Sequence, residues 1–340
     1  MARLESEIAE QRASETLATT DRQTTIVTVG ELLVEFVSHE KDCALERIVD
    51  YSGPYPSGAP AIFLDQAARM GASTSMVGCV GDDGFGRALL GRLREDGVGI
   101  DAIQVAPNLT TGTAFVTYHK DGSRDFIFHL QSTAAEHVVF SPEAMPAGDL
   151  VLHVSASSLG PPALRAAILD AVEAVLDRGG RICCDPNARP ELMRDDEGKK
   201  ALEMIVAKSF CLMPSTSDLG FLFPGETEEA AIEHLLSGPA EIVAIKRGSD
   251  GASVVRNGER HDVPGHRVDE VDPTGAGDCF CGTLIALLMQ GGPLLEALRL
   301  ANAAGALAVT RRGPMEGNSS PDELTRFIES GTAPGGEQPT

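Results

Sequence analysis

The sequence of 340 residues has no tryptophan and only three tyrosines, so it offers little planar surface on which nucleic-acid bases could stack. It is also poor in positive charge. Its 28 lysines and arginines stand against 50 aspartates and glutamates, a formal charge of −22. That balance repels phosphate backbones and anionic lipid over a Debye length of roughly 8 Å. Nucleic acid and membrane surfaces are therefore not expected partners. A nucleotide remains admissible, because it arrives with Mg2+ and can be gripped locally by backbone N–H groups.

Paired cysteine motifs are missing as well. The seven cysteines (Cys43, Cys79, Cys183, Cys184, Cys211, Cys279 and Cys281) are odd in number, scattered and without a C-x-x-C spacing suited to zinc or redox work. A reducing cytoplasm is the expected location. No span approaches the roughly 18 uncharged apolar residues of a membrane helix. The opening MARLESEIAEQRASETLATTDRQ has no apolar run that could form a signal-peptide core, so the N-x-[ST] matches at Asn108 and Asn318 are not read as glycan sites.

What is present is ordinary globular composition, 42% hydrophobic and 23% charged. The length admits one large α/β domain with an appendage or two modest domains. Residues 1–24 read as a poorly ordered extension and 331–340, rich in Gly and Pro, as a tail. Between them, short β-branched runs alternate with helical stretches, the pattern of a mainly parallel sheet covered on both faces. In PPALRAAILDAVEAVLDRGGRICCD, Leu164, Ile168, Val172 and Val175 fall at helical spacing and a buried strand follows at 182–184. Further strands are expected at 25–30, 74–80, 149–156, 209–213 and 241–248. Two hairpins interrupt the scheme, one turning at Asp121-Gly122 and one at Asn257-Gly258. The first hairpin (113–130) and a polar excursion at 36–56 break the strand–helix rhythm. They are expected to form a small β-rich lid over one end of the sheet. No internal repeat or low-complexity linker is visible, which favours one compact domain spanning 25–330.

The most informative segment is VDEVDPTGAGDCFCGTLIALLMQGG, residues 268–292. Gly275, Ala276 and Gly277 let backbone N–H groups approach an anion closely, and the apolar run from Cys279 starts a helix whose dipole favours negative charge by about 0.3–2 kcal/mol. Asp278 sits at the same terminus. A carboxylate beside an anion hole can accept the proton of an attacking hydroxyl while the amides neutralise a migrating phosphoryl group. Because phosphoryl transfer is loose, positioning matters more than basicity.

DPTGAGDCFCG closely resembles the D-T-x-G-A-G-D signature of the ribokinase-like (PfkB) carbohydrate kinase family, and the resemblance covers about residues 25–328. It implies the family's three-layer fold and ATP-dependent phosphorylation of a sugar, with Asp278 as base. GELLVEF (30–36) looks like the family's first strand with its acidic sugar contact, here Glu35 in place of the commoner Asp. SGAPAIFLDQAARMGASTSMVGCVGDDGFG resembles the first signature, in which Gly58 and Ala59 would touch the sugar. DPNARPEL resembles the D-P-N-x-R segment, placing Asp185, Asn187 and Arg189 toward substrate and phosphates. IKRGSDGA resembles the nucleotide-side K-x-G-x-x-G run (Lys246, Gly248, Gly251), and ANAAGALAVTRRG the helix whose Asn302 lines the adenine pocket. The family uses Mg2+ with ATP, and many members respond to K+, for which Asp272 and the Thr274 carbonyl would be the counterpart ligands. A homodimer joined through the lid is a further expectation.

The chain also departs from the family. Ser57 and Ile62 stand in the G-G-x-x-x-N pattern, so the usual sugar-binding asparagine is missing. Ser215-Thr216-Ser217-Asp218 replaces N-x-x-E, which leaves Ser215 on the nucleotide side and Asp218 to reach Mg2+ through water. Leu130 aligns with the lid arginine that relatives use to hold 2-keto-3-deoxygluconate, which favours a neutral sugar, although Arg124 or His129 could compensate. The whole points to a ketohexose such as tagatose or fructose; 2-keto-3-deoxygluconate kinase and ribokinase-type activity remain alternatives. Outside the kinases, a dinucleotide oxidoreductase would need G-x-G-x-x-G after the first strand, and none is there. A non-catalytic sugar- or nucleotide-binding regulator on the same scaffold stays open.

Overall fold

The computed structural model describes residues 24–120, 123–188 and 195–331; the N-terminal extension, the C-terminal tail, the Asp121-Gly122 turn and Arg189 lie outside the described residues. Thirteen strands follow in chain order: β1 (Thr25–Val29), β2 (Leu33–Ser38), β3 (Tyr51–Ser57), β4 (Ser73–Gly81), β5 (Ile103–Ala106), β6 (Gly112–Tyr118) and β7 (Arg124–His129). Then come β8 (Leu150–Ser155), β9 (Arg181–Asp185), β10 (Ser209–Leu212), β11 (Ile242–Lys246), β12 (Ala252–Arg256) and β13 (Glu259–Val263). The helices are α1 (Ala59–Arg69), α2 (Gly84–Glu95), α3 (Pro162–Asp177), α4 (Asp196–Val206) and α5 (Thr216–Leu222). They continue with α6 (Glu228–Leu236), α7 (Ala276–Met289), α8 (Leu294–Ala308) and α9 (Pro321–Ser330).

The nearly continuous apolar strands can be satisfied only if both sheet faces are covered. Nine strands form one sheet in the order β13-β12-β11-β10-β9-β8-β1-β4-β5. It is parallel from β11 to β5, and β12 and β13 are antiparallel, joined by a turn whose Asn257 and Gly258 both have positive φ. Strand alternation sends side chains to opposite cores: Ile242 and Ala244 to one, Val243 and Ile245 to the other. α1, α2, α7, α8 and α9 cover the first face, while α3 to α6 cover the second. Each fully buried Leu or Ile in these layers contributes about 1.5–3 kcal/mol.

The lid is a separate four-stranded sheet of order β3-β2-β6-β7. Its first strand begins at Leu33, earlier than the expected boundary at 36, because β2 pairs in parallel with β6 from Leu33↔Gly112 onward. Glu35 therefore lies within a lid strand and not at the end of the first core strand. The cause is long-range pairing, which leaves no local sign.

Candidate active site

The chain enters the sheet at β1 and then builds outward on both sides, through β4 on one and β8 on the other. In such sheets the crevice at the carboxyl ends of the strands receives ligands. Gly30 follows β1, Ser155 ends β8, Asp185 ends β9, Ser215 follows β10 and Lys246 ends β11, so polar side chains gather along one rim.

The GAGD loop forms there as helix start. Gly275 is the N-cap of α7 with φ 86°, and a Cβ on it would stand 2.4 Å from the Pro314 carbonyl oxygen, so only glycine fits. The helix ladder begins with Cys279 N–H donating to the Gly275 carbonyl (2.8 Å), which leaves the amides before it outside that ladder. Asp278 occupies the third helical position, 8% exposed. Its carboxylate lines a polar cavity of about 500 Å³ together with Asp185, Asn187, Ser215, Asp218, Lys246, Gly275, Gly277 and the lid residue Arg124.

Lys246 donates to Asp185 Oδ2 in a close ion pair, and the Cys281 thiol, one turn past Asp278, donates to the same oxygen at 3.5 Å. Desolvation alone would lower the Lys246 ammonium, but the Asp185 carboxylate, with Cys281 and Asp218 beyond it, overcomes that and holds it up, so it stays charged. Burial pushes the Asp185 carboxyl up and Lys246 offsets part of the rise. Asp185 Oδ1 accepts the Asn187 amide (3.1 Å), and the Asn187 side chain donates to Ser155 Oγ (3.2 Å).

A second, more apolar cavity of about 720 Å³ adjoins the first, with Lys246, Arg247, Gly248, Pro273 and Gly277 in both walls. Phe280, Val268, Ala306 and Val309 supply its apolar side; Gly251 and Asn302 also line it. Asn302 Nδ2 donates to the Pro264 carbonyl (2.9 Å), pinning the 263–267 segment that closes this cavity. The shape and apolar lining suit the base of a nucleotide, with its phosphates leading toward Gly277.

The residues expected on the sugar side are divided between the lid strand β2 and the start of α1. Gly58, φ 111°, caps α1, and Ala59 starts that helix. Glu35 is 2% exposed on β2 and accepts from Ser57 Oγ (3.3 Å). Neither Glu35, Gly58 nor Ala59 lines the two cavities described. Ile62, in the position of the missing asparagine, is buried in the core against Gly275. Leu130 faces Gly112, His129 is exposed, and Arg124 is the lid residue that reaches the polar cavity.

Two buried polar residues escaped the sequence reading. Glu31 accepts from Ser158 Oγ (2.5 Å), and burial pushes its carboxyl up; the G-E pair directly after β1 was the only signal. Tyr118 reaches from the lid to Asp272 and Thr274, with no local sign at all.

The oxygen ligands can be tested for the ions that this chemistry uses. Asp218 Oδ1 accepts Ala188 N–H (2.8 Å), and Oδ2 accepts the amide (2.7 Å) and hydroxyl (2.6 Å) of Ser215 in a capping box. A carboxylate has about four acceptor sites, so one is left, which fits contact with Mg2+ through a water. Among the described residues no cluster of three or more His, Cys, Asp or Glu side chains could hold a metal. Asp272 Oδ1 accepts Tyr118 O–H and Thr274 N–H (3.0 Å), and Oδ2 accepts Gly313 N–H (2.9 Å). It too keeps about one acceptor site, which would fit a monovalent cation.

Comparison with known proteins agrees with this architecture. A family model described as pfkB family carbohydrate kinase matches residues 23–321. Fructokinase-1 of Oryza sativa subsp. japonica is 30% identical over 91% of this chain and 99% of its own. The structure of an E. coli protein provisionally named ribokinase II, in complex with ATP and Mg2+, superposes with a TM-score of 0.84 at 41% identity, covering 90% of this chain and 99% of that one. A Vibrio cholerae O395 fructokinase double mutant, bound to fructose, ADP and potassium ion, gives a TM-score of 0.79 at 25% identity over 91% and 99% of the two chains. With a helix-start anion loop, a carboxylate beside it and a family match across almost the whole folded region, the chain belongs to the pfkB family of carbohydrate kinases and is a sugar kinase.

Proposed function

We propose that the protein transfers the γ-phosphoryl group of ATP to a hydroxyl of a small neutral sugar, a ketohexose such as fructose or tagatose. The observation that carries this reading is the junction of the two cavities at Gly277 and Lys246, with Asp278 on the polar side. In this reading the base and ribose occupy the apolar cavity. The α7 amides, Lys246 and Arg247 face the triphosphate. Asp278 takes the proton of the sugar hydroxyl as its oxygen bonds to phosphorus and the bond to the ADP oxygen breaks. The amides at Gly275–Gly277 neutralise the charge that spreads over the transferred group. Asp218, Asp185 and Asp278 border the space that Mg2+ would share with the phosphates, where the ion supplies counter-charge. Glu35, Gly58, Ala59 and Asn187 are proposed to face the sugar, Asn302, Gly248, Gly251 and Ser215 to frame the nucleotide, and Asp272 with the Thr274 carbonyl to hold K+. Arg189 is proposed as a phosphate contact on sequence grounds alone.

ATP and Mg2+ are supported by the E. coli complex, and fructose by the rice and Vibrio relatives. A sugar acid is a second reading, favoured by Arg124 in the polar cavity. A coupled assay of ADP release across fructose, tagatose, ribose, nucleosides and 2-keto-3-deoxygluconate, in KCl and in NaCl at equal ionic strength, tests these points. The highest kcat/KM is expected on a ketohexose in KCl. Preference for the keto-acid would replace the neutral-sugar reading, and no ADP release with any acceptor would favour the regulator.

A homodimer through the lid is supported by the aligned row Phe36–Phe115–Ile127 on the lid sheet, where Ile127 is 53% exposed. Light scattering should give twice the chain mass for the wild type and the monomer for Ile127→Glu; a monomeric wild type would remove it. The seven free, buried cysteines support a cytoplasmic location.

A further inference from the structure

The lid and the anion loop meet at one buried carboxylate. Asp272 is fully buried, and its Oδ1 accepts both the Tyr118 hydroxyl, from the last residue of β6, and the Thr274 amide (3.0 Å), from the start of the GAGD turn. Tyr118 Oη also lies 2.9 Å from Thr274 Oγ1. The other oxygen, Oδ2, accepts Gly313 N–H (2.9 Å). The backbone amides of Val271 and Asp272 are tied to the Val309 carbonyl (2.8 and 3.1 Å), at the end of α8. A second lid tyrosine presses on the same junction: a Cβ on Gly313 would stand 2.6 Å from Tyr55 Cδ1. Gly313 is followed by Pro314, the residue whose carbonyl closes on Gly275.

We propose that Tyr118 is a positioning residue for phosphoryl transfer, a latch through which the closed lid sets the Asp272–Gly277 loop and so the anion hole. The proposal rests on the reading of that loop as the phosphate-binding element. Its physical content is continuity. Tyr118 is anchored in a small lid cluster with Val37, Val116, Tyr55 and Phe126, so its hydroxyl moves with the lid sheet. Asp272 stands six residues before Asp278, and its hydrogen bond to the Thr274 amide lies one residue before the helix cap Gly275. When the lid is away, Asp272 loses a donor and the loop loses both ties to Tyr118, keeping the Asp272 bonds to the Thr274 and Gly313 amides. When the lid is down over the sugar, the loop is held in the shape that presents its amides. A sugar that holds the lid down thereby also steadies the phosphate site, which would disfavour transfer to water.

Tyr118→Phe keeps the ring and its packing and removes only the hydroxyl. Steady-state kinetics with fructose and ATP·Mg2+ should show kcat lower by about 10- to 100-fold, with the sugar KM changed by less than about threefold. Hydrogen exchange on the ligand-free protein should quicken in the amides of 272–278 and stay as it was in β9. Ile168→Val, in the α3 core layer away from both lid and loop, should lower stability by about 0.5–1.5 kcal/mol and leave the exchange of 272–278 at the wild-type rate. A Tyr118→Phe enzyme with wild-type kcat and wild-type exchange at 272–278, or an Ile168→Val variant that reproduces both changes, overturns the latch. If the wild type turns over no sugar, the substrate reading fails, and the exchange comparison, which needs no turnover, still decides the latch.

Discussion

Asp65, on the buried face of α1, is held where a carboxylate is poorly tolerated. It lies 3.6 Å from Arg92 Nε, accepts from Asn318 Nδ2 (2.5 Å), and neighbours Asp96, which itself pairs with Arg92 and Arg69. Burial, only partly offset by Arg92, pushes the Asp65 carboxyl up to about 8. Its unfolded value is roughly 3.9, so between these two values the folded state holds a proton that the unfolded chain releases. This residue's contribution to stability is therefore complete below the lower value and is lost as pH rises toward the upper one. Asp65→Asn mimics the protonated form. Its urea midpoint should change little between about pH 5 and about pH 8, where the wild type declines; parallel curves would contradict this.

At this same scale, legibility followed distance along the chain. The helix start that carries Asp278 could be read from its immediate neighbours, three small residues before an apolar run. Glu31 and Tyr118 could not, because their partners Ser158 and Asp272 lie 127 and 154 residues away.

Among elements, α7 is the one proposed to carry most of the chemistry, and its first turn is conformationally constrained. Gly275 adopts a left-handed conformation against the Pro314 carbonyl, so Gly275→Ala must either strain the backbone or push the 313–314 turn away. The expected cost is about 1–3 kcal/mol of stability, together with a fall in kcat as the amides shift; a variant with wild-type midpoint and turnover would contradict it. The helix and the core strands were legible from period and composition, as Leu164, Ile168, Val172 and Val175 of α3 show by all falling in one core. The lid strands were legible only in outline. β2 owes its register to β6, and only the Tyr118↔Arg124 end of the β6–β7 hairpin places Arg124 near the cavity. A one-residue change of pairing would turn it away from the site.

On the scale of the whole molecule, the formal charge of −22 does not describe the active site. Asp185, Asp218 and Asp278 meet Lys246, Arg124 and Arg247 around one cavity, so the local balance leaves room for a polyphosphate with its metal ion. The doubly covered sheet was readable from the strand–helix alternation, the lid from the segments that break it, and the kinase class from motif order. The identity of the sugar was not, because the residues proposed to face it come from a lid sheet and a core rim that meet only in the folded chain. The central claim concerns what Asp278 does once that assembly is closed. The most direct measurement pairs calorimetric ATP·Mg2+ binding with steady-state turnover on the best sugar for Asp278→Asn. The account predicts nucleotide affinity and unfolding midpoint close to wild type with kcat lower by about 10²- to 10⁴-fold. A variant that binds ATP·Mg2+ normally and still turns over at near the wild-type rate would contradict it.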